Sequence, residues 1–540
     1  MAYKLKNPII PGFYPDPTIC RVGDDFYLAC SSFEEYPGIP IFHSKDLANW
    51  EQICCAMTAE NGFHVESNCM NGGVMAPTLR YHKGTFYIIN TNFSDAGNYI
   101  VTATDPAGPW SEPHWLKDVP GIDASLFFDD DGQCYVMGTG QVWPNETGGM
   151  RQGIWVAKFD IENYKMAGEP VAIFGGAFSG AASPESPHIY HIGDYYYLLI
   201  AEGGTEHWHS ATIARSKNVF GPYENNPANP LITHRHMGYR CPIGNVGHAD
   251  LVDLPDGSWY AVMLASRLVD GVSKNLGRET FICPVVWERD WPLFTPETGR
   301  MEWEYDAPES LPEHPFPVRS PVDDFDRDEL SLDWSFWGRP YRKFYDIRDS
   351  KLFIRCIPQS LVEPLRPMSF VHVMCKDYYT PALCQRQRQI NETAACQMTF
   401  APKGGETAGL VVRQAMNHQY HLQITLADGV RKLQLVRFTS DFAVPAYFPD
   451  FTADTHREVL AEAEWDQDDI VLQVDMEGNR YTFSYGCCKE NMQTLAVADG
   501  FAINPEKVGC MVGVMTGVFA SGNGEDVDNA ASFDWFEHRW

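Results

Sequence analysis

The chain has 540 residues, room for two to four domains at roughly 150 residues each. Its composition, 44% apolar and 21% charged, excludes a mainly disordered state. Against 41 basic residues stand 71 acidic ones, for a net charge of −30. A field of that sign repels phosphate backbones and anionic membranes, so nucleic acid and lipid are poor partners and a neutral substrate suits better.

The first residues, MAYKLKNPIIPGFYPDP, have early prolines and no apolar core of the kind a secretory leader carries. The 15 cysteines form no C-x-x-C pair, and two doublets, Cys54-Cys55 and Cys487-Cys488, suit neither a disulfide framework nor a zinc ribbon. They read as reduced thiols of a cytoplasmic protein. The longest apolar run, around Val508–Ala520, is broken by glycines and too short to span a bilayer.

One unit recurs along the first half: a short strand, a Gly/Asp turn and an aromatic-rich strand. It appears as DPTICRVGDDFYL from Asp16, APTLRYHKGTFYI from Ala76, DASLFFDDDGQCYV from Asp123, ESPHIYHIGDYYYL from Glu185 and HADLVDLPDGSWYA from His248. The turn glycines, Gly23, Gly84, Gly132, Gly193 and Gly257, follow one another at 61, 48, 61 and 64 residues. Each copy is a β-hairpin by its turn chemistry. Five copies at blade-like spacing predict a five-bladed β-propeller over residues 1–306; a sandwich of hairpins is the alternative, but gives no reason for a period near 60.

The stretch 307–322, with five prolines, reads as a semi-rigid linker. Beyond it, Tyr420, Leu422, Ile424 and Leu426 alternate with polar residues, as do Ile470, Leu472, Val474 and Met476, then Tyr481, Phe483 and Tyr485. Period-two alternation predicts a β-sandwich over 323–540. Glu458–Glu464 is the one stretch there with a helical character.

In a propeller the first strand of each blade lines the axis, so equivalent positions of the repeats face one another. Those positions hold Asp16, Met75 or Ala76, Asp123, Glu185 and His248, each 7 to 9 residues before its turn glycine. Three acids around one axis repel when all are ionised, so at least one should keep its proton near neutrality, as a general acid must. An acid and a base flanking one bond is the arrangement of glycoside hydrolysis. The bland reading, in which each acid only caps a turn, suits a lone Asp before Pro and fits three matched positions poorly.

At these residues a resemblance becomes plain. The opening NPIIPGFYPDP, then GIDASLFFDDDG, ESPHIY, AEGGTEHWHSATIARS, GHADLV and LGRETF, match in order the motifs of glycoside hydrolase family 43, the β-xylosidase and α-L-arabinofuranosidase group. The region from DDFDRDELSLDW to SFDWFEHRW is similar to the concanavalin-like β-sandwich of its β-xylosidase branch. The resemblance implies an all-β chain acting as an inverting exo-glycosidase. Its substrates would be xylo-oligosaccharides or arabinoxylo-oligosaccharides, and the working form a homo-oligomer, dimer or tetramer.

By that resemblance Asp16 is the general base, Glu185 the general acid and Asp123 the residue that orients the acid. Arg278 binds sugar hydroxyls, with a surface pair to Glu279 as its plainer reading. His248 sits near the axis and Phe33 packs on the sugar. Trp143 walls the entrance, and His209 contacts the site. No cofactor is required, though a divalent ion such as calcium near His248 is compatible with the pattern. Two positions depart from the family: Met75 stands where many relatives place an aromatic, which loosens that wall, and Ala124 replaces a usual proline. The pairs His207/His209 and His234/His236 lack the further ligands of a zinc site, and Asp129–Gly132 reads as a hairpin turn before a calcium loop. No phosphate-binding fingerprint opens a strand–helix unit. The rival functions are a predominant α-L-arabinofuranosidase and a non-catalytic carbohydrate-binding protein.

Overall fold

The computed structural model describes residues 3–62, 72–92, 97–238, 241–340, 342–362, 379–440, 455–509 and 511–540. The five hairpins fold into five antiparallel sheets. The inner strands are Thr18–Val22, Thr78–His82, Ile122–Phe128, Glu185–Ile192 and Ile243–Asp253, and each pairs with the strand that follows it. The turn glycines show why they recur. All five have φ between 60° and 88°, and a Cβ on any of them would meet nothing within 4 Å. Backbone conformation, not space, selects glycine there.

Apolar residues on the blade faces pack between neighbouring blades. Ile89, Ile100, Leu126 and Val136 fill one such layer, Ile154, Val156, Leu198 and Ile200 another, and Leu199, Ile213, Ala249 and Met263 a third. The N-terminal segment closes the ring against blade 5. Lys4–Lys6 pairs with Glu304–Asp306, and the Asn7 side chain both donates to the Ile282 carbonyl and accepts from its N–H, each at 2.9 Å.

A polar network plugs the axis and draws a side chain from every blade. Asp250 accepts from Thr18 at 2.7 Å, Arg80 at 2.9 Å and Tyr190 at 2.5 Å. The Arg80 guanidinium donates to His188 Nδ1 at 2.9 Å, and Ser125 lies 3.2 Å from the same nitrogen. Burial works against the Asp250 charge, but Arg80 outweighs it and holds the carboxyl well below the usual range. Burial drives His188 down to about 3, so its ring is neutral and can accept.

The second half forms two facing sheets. One runs Tyr345–Arg348, Lys351–Arg355, Ala530–Arg539, Asn391–Thr399, Asp469–Glu477, Arg480–Gly486 and Met492–Asp499, with Val322–Asp323 added beside Ala530–Arg539; the other runs Ala382–Arg386, Met515–Ser521, Thr407–Ala415, His418–Ala427, Val430–Ser440 and Thr455–Glu464. The core between them includes Leu410, Tyr420, Leu472, Phe483 and Phe533. Glu458–Glu464 corrects the sequence reading. It lies inside the strand Thr455–Glu464, paired with Val430–Ser440. Its Ala, Leu and Glu residues are good helix formers, but intrinsic preference is worth only a few tenths of a kcal/mol per residue and the ladder of the neighbouring strand overrides it. No described helix is long and apolar enough to cross a membrane.

The proline-rich stretch is pinned along blade 1. The His314 N–H donates to Asp46 at 2.7 Å, and the Leu311 carbonyl accepts from Tyr3. Propeller and sandwich also share a two-stranded ladder, Glu35–Tyr36 with Phe336–Trp337. Beside it Arg413 donates to both oxygens of Glu35 at 2.9 and 2.8 Å, with both side chains buried. Removing one partner strands a buried charge. Arg413→Met should therefore cost about 3–5 kcal/mol in chemical denaturation, and Arg413→Met with Glu35→Gln should restore part of it. Equal losses in the single and double variants would count against the pair.

Candidate active site

Local backbone aims the acids. Asp16, Asp123 and His248 have φ of 54°, 52° and 54°, a left-handed conformation that costs energy in non-glycine residues. The ladders shift register between Ile122 and Ser125, between Glu185 and His188, and on both sides of Gly247. Such bulges turn a side chain out of the pleat. Here they leave Asp123 and Ala124, Ser186 and Pro187, and Asn245, Val246 and His248 without a partner in the ladder.

Asp16 is 4% exposed and heavily held. Arg278 donates to its Oδ1 at 2.7 Å and Ser31 to its Oδ2 at 2.5 Å, while His248 Nδ1 lies 3.8 Å from Oδ1. Burial alone would raise its pKa, but Arg278, His248 and Ser31 together leave it below the ordinary carboxylate value. Glu185 is treated oppositely. Burial lifts it to about 7, against hydrogen bonds from Ser183 and Gln152 that work to lower it. Asp123 accepts from the backbone N–H of Ser186 at 3.2 Å, which fixes the chain beside Glu185. Burial first, then the nearby Glu185 and Asp16, push Asp123 well above the usual range.

Arg278 is 3% exposed and does not pair with Glu279, which is bound by Arg267 and by the Gly12 N–H instead. Besides Asp16 it donates to Thr205 Oγ1 and to Met511 Sδ, each at 3.0 Å. Its Cζ stands 5.3 Å from the centre of the Phe33 ring, which stacks on Phe13 at 5.9 Å. Phe33 and Val74 exchange backbone hydrogen bonds, which join the first two blades at the rim.

The remaining candidates divide. His248 is buried on the axis with its pKa lowered by burial, hence a neutral ring. His209 is braced beneath it: its Nδ1 lies 2.8 Å from the Asn245 carbonyl, and a Cβ on Gly247 would stand 2.7 Å from its ring. Met75 is half-buried in the second blade, its N–H bonded to the Thr91 carbonyl at 3.0 Å and its own carbonyl accepting from Asn90 at 2.6 Å. Trp143 lies on the hairpin of Cys134–Pro144 and Met150–Asp160, folded over Gly153 and Gly175, where an added Cβ would come within 2.6 Å and 2.3 Å of it. That close packing fixes the Trp143 ring on its hairpin.

His207 and His209 do not converge, since one is exposed and the other buried. His234 Nδ1 lies 2.8 Å from the Ile243 carbonyl and its Nε2 accepts from the Met301 N–H. Among the described residues one His/Asp cluster has metal-like spacing, Asp129, Asp130 and His191, at the far end of the inner strands. There Asp129 closes its hairpin and accepts from Tyr196.

Ser31, Thr205 and Met511 are site residues that sequence reasoning missed. Met511 comes from the sandwich. The loop before Arg278 is embedded in that unit: Gly478 and Asn504 bond the Asn275 side chain, and Val514 and Gln414 donate to its carbonyl. Gly277 (φ 74°) and Gly513 lie at the seam. A Cβ on the first would stand 2.4 Å from the Val512 carbonyl, and one on the second 2.4 Å from Phe13 Cβ. Met511, Val512 and Gly513 of the sandwich supply this contact.

Known proteins match this chain along its whole length. The profile described as "Glycosyl hydrolases family 43" matches residues 5–292, and "Beta xylosidase C-terminal Concanavalin A-like domain" matches residues 322–539. A "Xylosidase/arabinosidase" of Butyrivibrio fibrisolvens is 41% identical over 98% of both chains. A "Non-reducing end alpha-L-arabinofuranosidase" of Bacteroides ovatus is 38% identical over 99% of this chain and 94% of its own. Among solved structures, a xylan beta-1,4-xylosidase from Bacillus halodurans superposes with a TM-score of 0.86 at 29% identity, covering 99% of this chain and 100% of that one. With Asp16, Asp123 and Glu185 brought together on the axis of the propeller, and with these matches and relatives, the chain belongs to glycoside hydrolase family 43.

Proposed function

We propose that this glycoside hydrolase releases terminal β-1,4-linked xylose from xylo-oligosaccharides or arabinoxylo-oligosaccharides by an exo-acting, inverting reaction, with α-L-arabinofuranosidase side activity. The split in protonation carries the reading: Asp16 is kept ionised and Glu185 is kept acidic on one axis. As a water oxygen attacks the anomeric carbon, Asp16 takes its proton. Glu185 gives its proton to the glycosidic oxygen as the carbon–oxygen bond breaks. Asp123 holds the backbone beside the acid, and its own raised pKa avoids a second negative charge beside Asp16. Arg278, Phe33, Met75 and Trp143 form the proposed sugar-binding walls, with His248 beneath and His209 behind it.

The arabinofuranosidase rival draws on the name of the Bacteroides ovatus relative. Both sugars present similar hydroxyls to a small pocket, so ångström-scale wall geometry decides between them. Two companion proposals are a cytoplasmic location, supported by the described cysteines all being free thiols, and a homo-oligomer. Cell fractionation and sedimentation test them.

Asp16→Ala and Glu185→Ala should each lower kcat on aryl β-D-xylopyranoside by about 10²–10⁴. Wild-type turnover of aryl α-L-arabinofuranoside alone would move the specificity to the rival, and sugar binding without turnover of either would make the chain a binding protein. The alkaline limb of kcat/KM should fall through about pH 7 as Glu185 loses its proton, and the acid limb should lie below the ordinary carboxylate range, set by Asp16. A profile flat from pH 5 to 9 would contradict these roles. To a calcium ion on the axis the protein offers the His248 ring and an Asp16 oxygen already held by Arg278, so most ligands would be water. Chelation with EDTA should leave kcat within about twofold; a loss reversed by calcium would establish the ion.

A further inference from the structure

His207 and Trp208, the first two residues of the His-Trp-His motif, have no part in the chemistry above, yet their loop stands beside the site. It joins Tyr195–Glu202 to Ser210–Ser216 on the face where the inner strands begin. Both flanks are fixed. Thr205 accepts from Arg278, and Glu206 pairs with Lys274, whose Nζ also lies 3.5 Å from the sandwich residue Glu506. His209 turns inward under His248, and its N–H closes the turn on the Glu206 carbonyl at 3.0 Å. Gly203 (φ 91°) lets the chain double back, since a Cβ there would stand 2.1 Å from the Trp208 carbonyl.

The tip of this braced loop carries His207 and Trp208, edge to face at 4.9 Å, with Trp208 63% exposed. An indole held in water on a fixed loop, between Thr205, which accepts from the arginine that binds Asp16, and His209, which is held by the Asn245 carbonyl, offers a free apolar face at the rim. Trp143 offers less, because it is folded over two glycines. Sugars present flat arrays of C–H bonds that pack on such faces, and the platform carries no charge that a neutral sugar would have to match.

We propose that Trp208, with His207 at its edge, is the stacking platform for the leaving-group sugar of an oligosaccharide whose terminal sugar lies over Asp16 and Glu185. The inference rests on the hydrolytic reading above. It extends that reading from the bond broken to the sugar beyond it.

The test compares wild type, Trp208→Ala and Trp208→Phe on xylotriose and on β-D-xylosyl fluoride, whose leaving group is a single atom. Trp208→Ala should lose about tenfold in kcat/KM on xylotriose, mainly through KM, and stay within twofold on the fluoride; Trp208→Phe should recover most of the loss. Equal losses on both substrates would make Trp208 a support for the loop and overturn the platform. No loss on either would overturn it as well. A wild type inactive on both substrates would remove the xylosidase reading itself and the platform with it.

Discussion

Four carboxyl groups and two guanidinium groups share the propeller axis, and how they pair determines what the site can do. Arg80 is committed to Asp250 and Arg278 to Asp16, so those two acids stay charged. Glu185 and Asp123 are left with neutral donors, Ser183, Gln152 and a backbone N–H, and burial then favours their protonated forms. Moving Arg278 would take away the charge that keeps Asp16 ionised as a base. The fold makes this allocation possible because the inner strands of all five blades deliver their polar residues to one line.

The repeat made the propeller legible. Turn glycines forced into positive φ must recur wherever the hairpin recurs, and the residues just before them fell on the axis as expected. The second layer was legible by the same logic but went unread. Two residues after Asp16, Asp123 and His248 stand Thr18, Ser125 and Asp250, and a bulge moves the fourth blade's counterpart to His188. Arg80 and Asp250 are ordinary strand residues in sequence, and only convergence in space makes them a plug. Helical propensity failed at Glu458–Glu464 because an available ladder outweighs a few tenths of a kcal/mol per residue.

What stayed hidden was set by long-range contacts. Resemblance places Arg278 in the pocket, but no local pattern shows that it and Glu279 are both buried and face different partners, one in the site and the other on the seam with the sandwich. Met511 reaches Arg278 from 233 residues away, and no local pattern announces it. The site is therefore a product of both halves of the chain. The propeller supplies the acids; the sandwich fixes the loop whose next residue is the arginine that keeps the base charged.

The seam at Gly277 and Gly513 carries an evolutionary corollary. Backbone meets backbone there with no volume left for a methyl group on either side. Neither half can drift independently at this point, and a recombined chain that joined this propeller to a sandwich from another lineage would have to inherit both glycines together. A module often treated as an accessory is in this respect co-inherited with the active site, and its sequence history should follow that of the catalytic half.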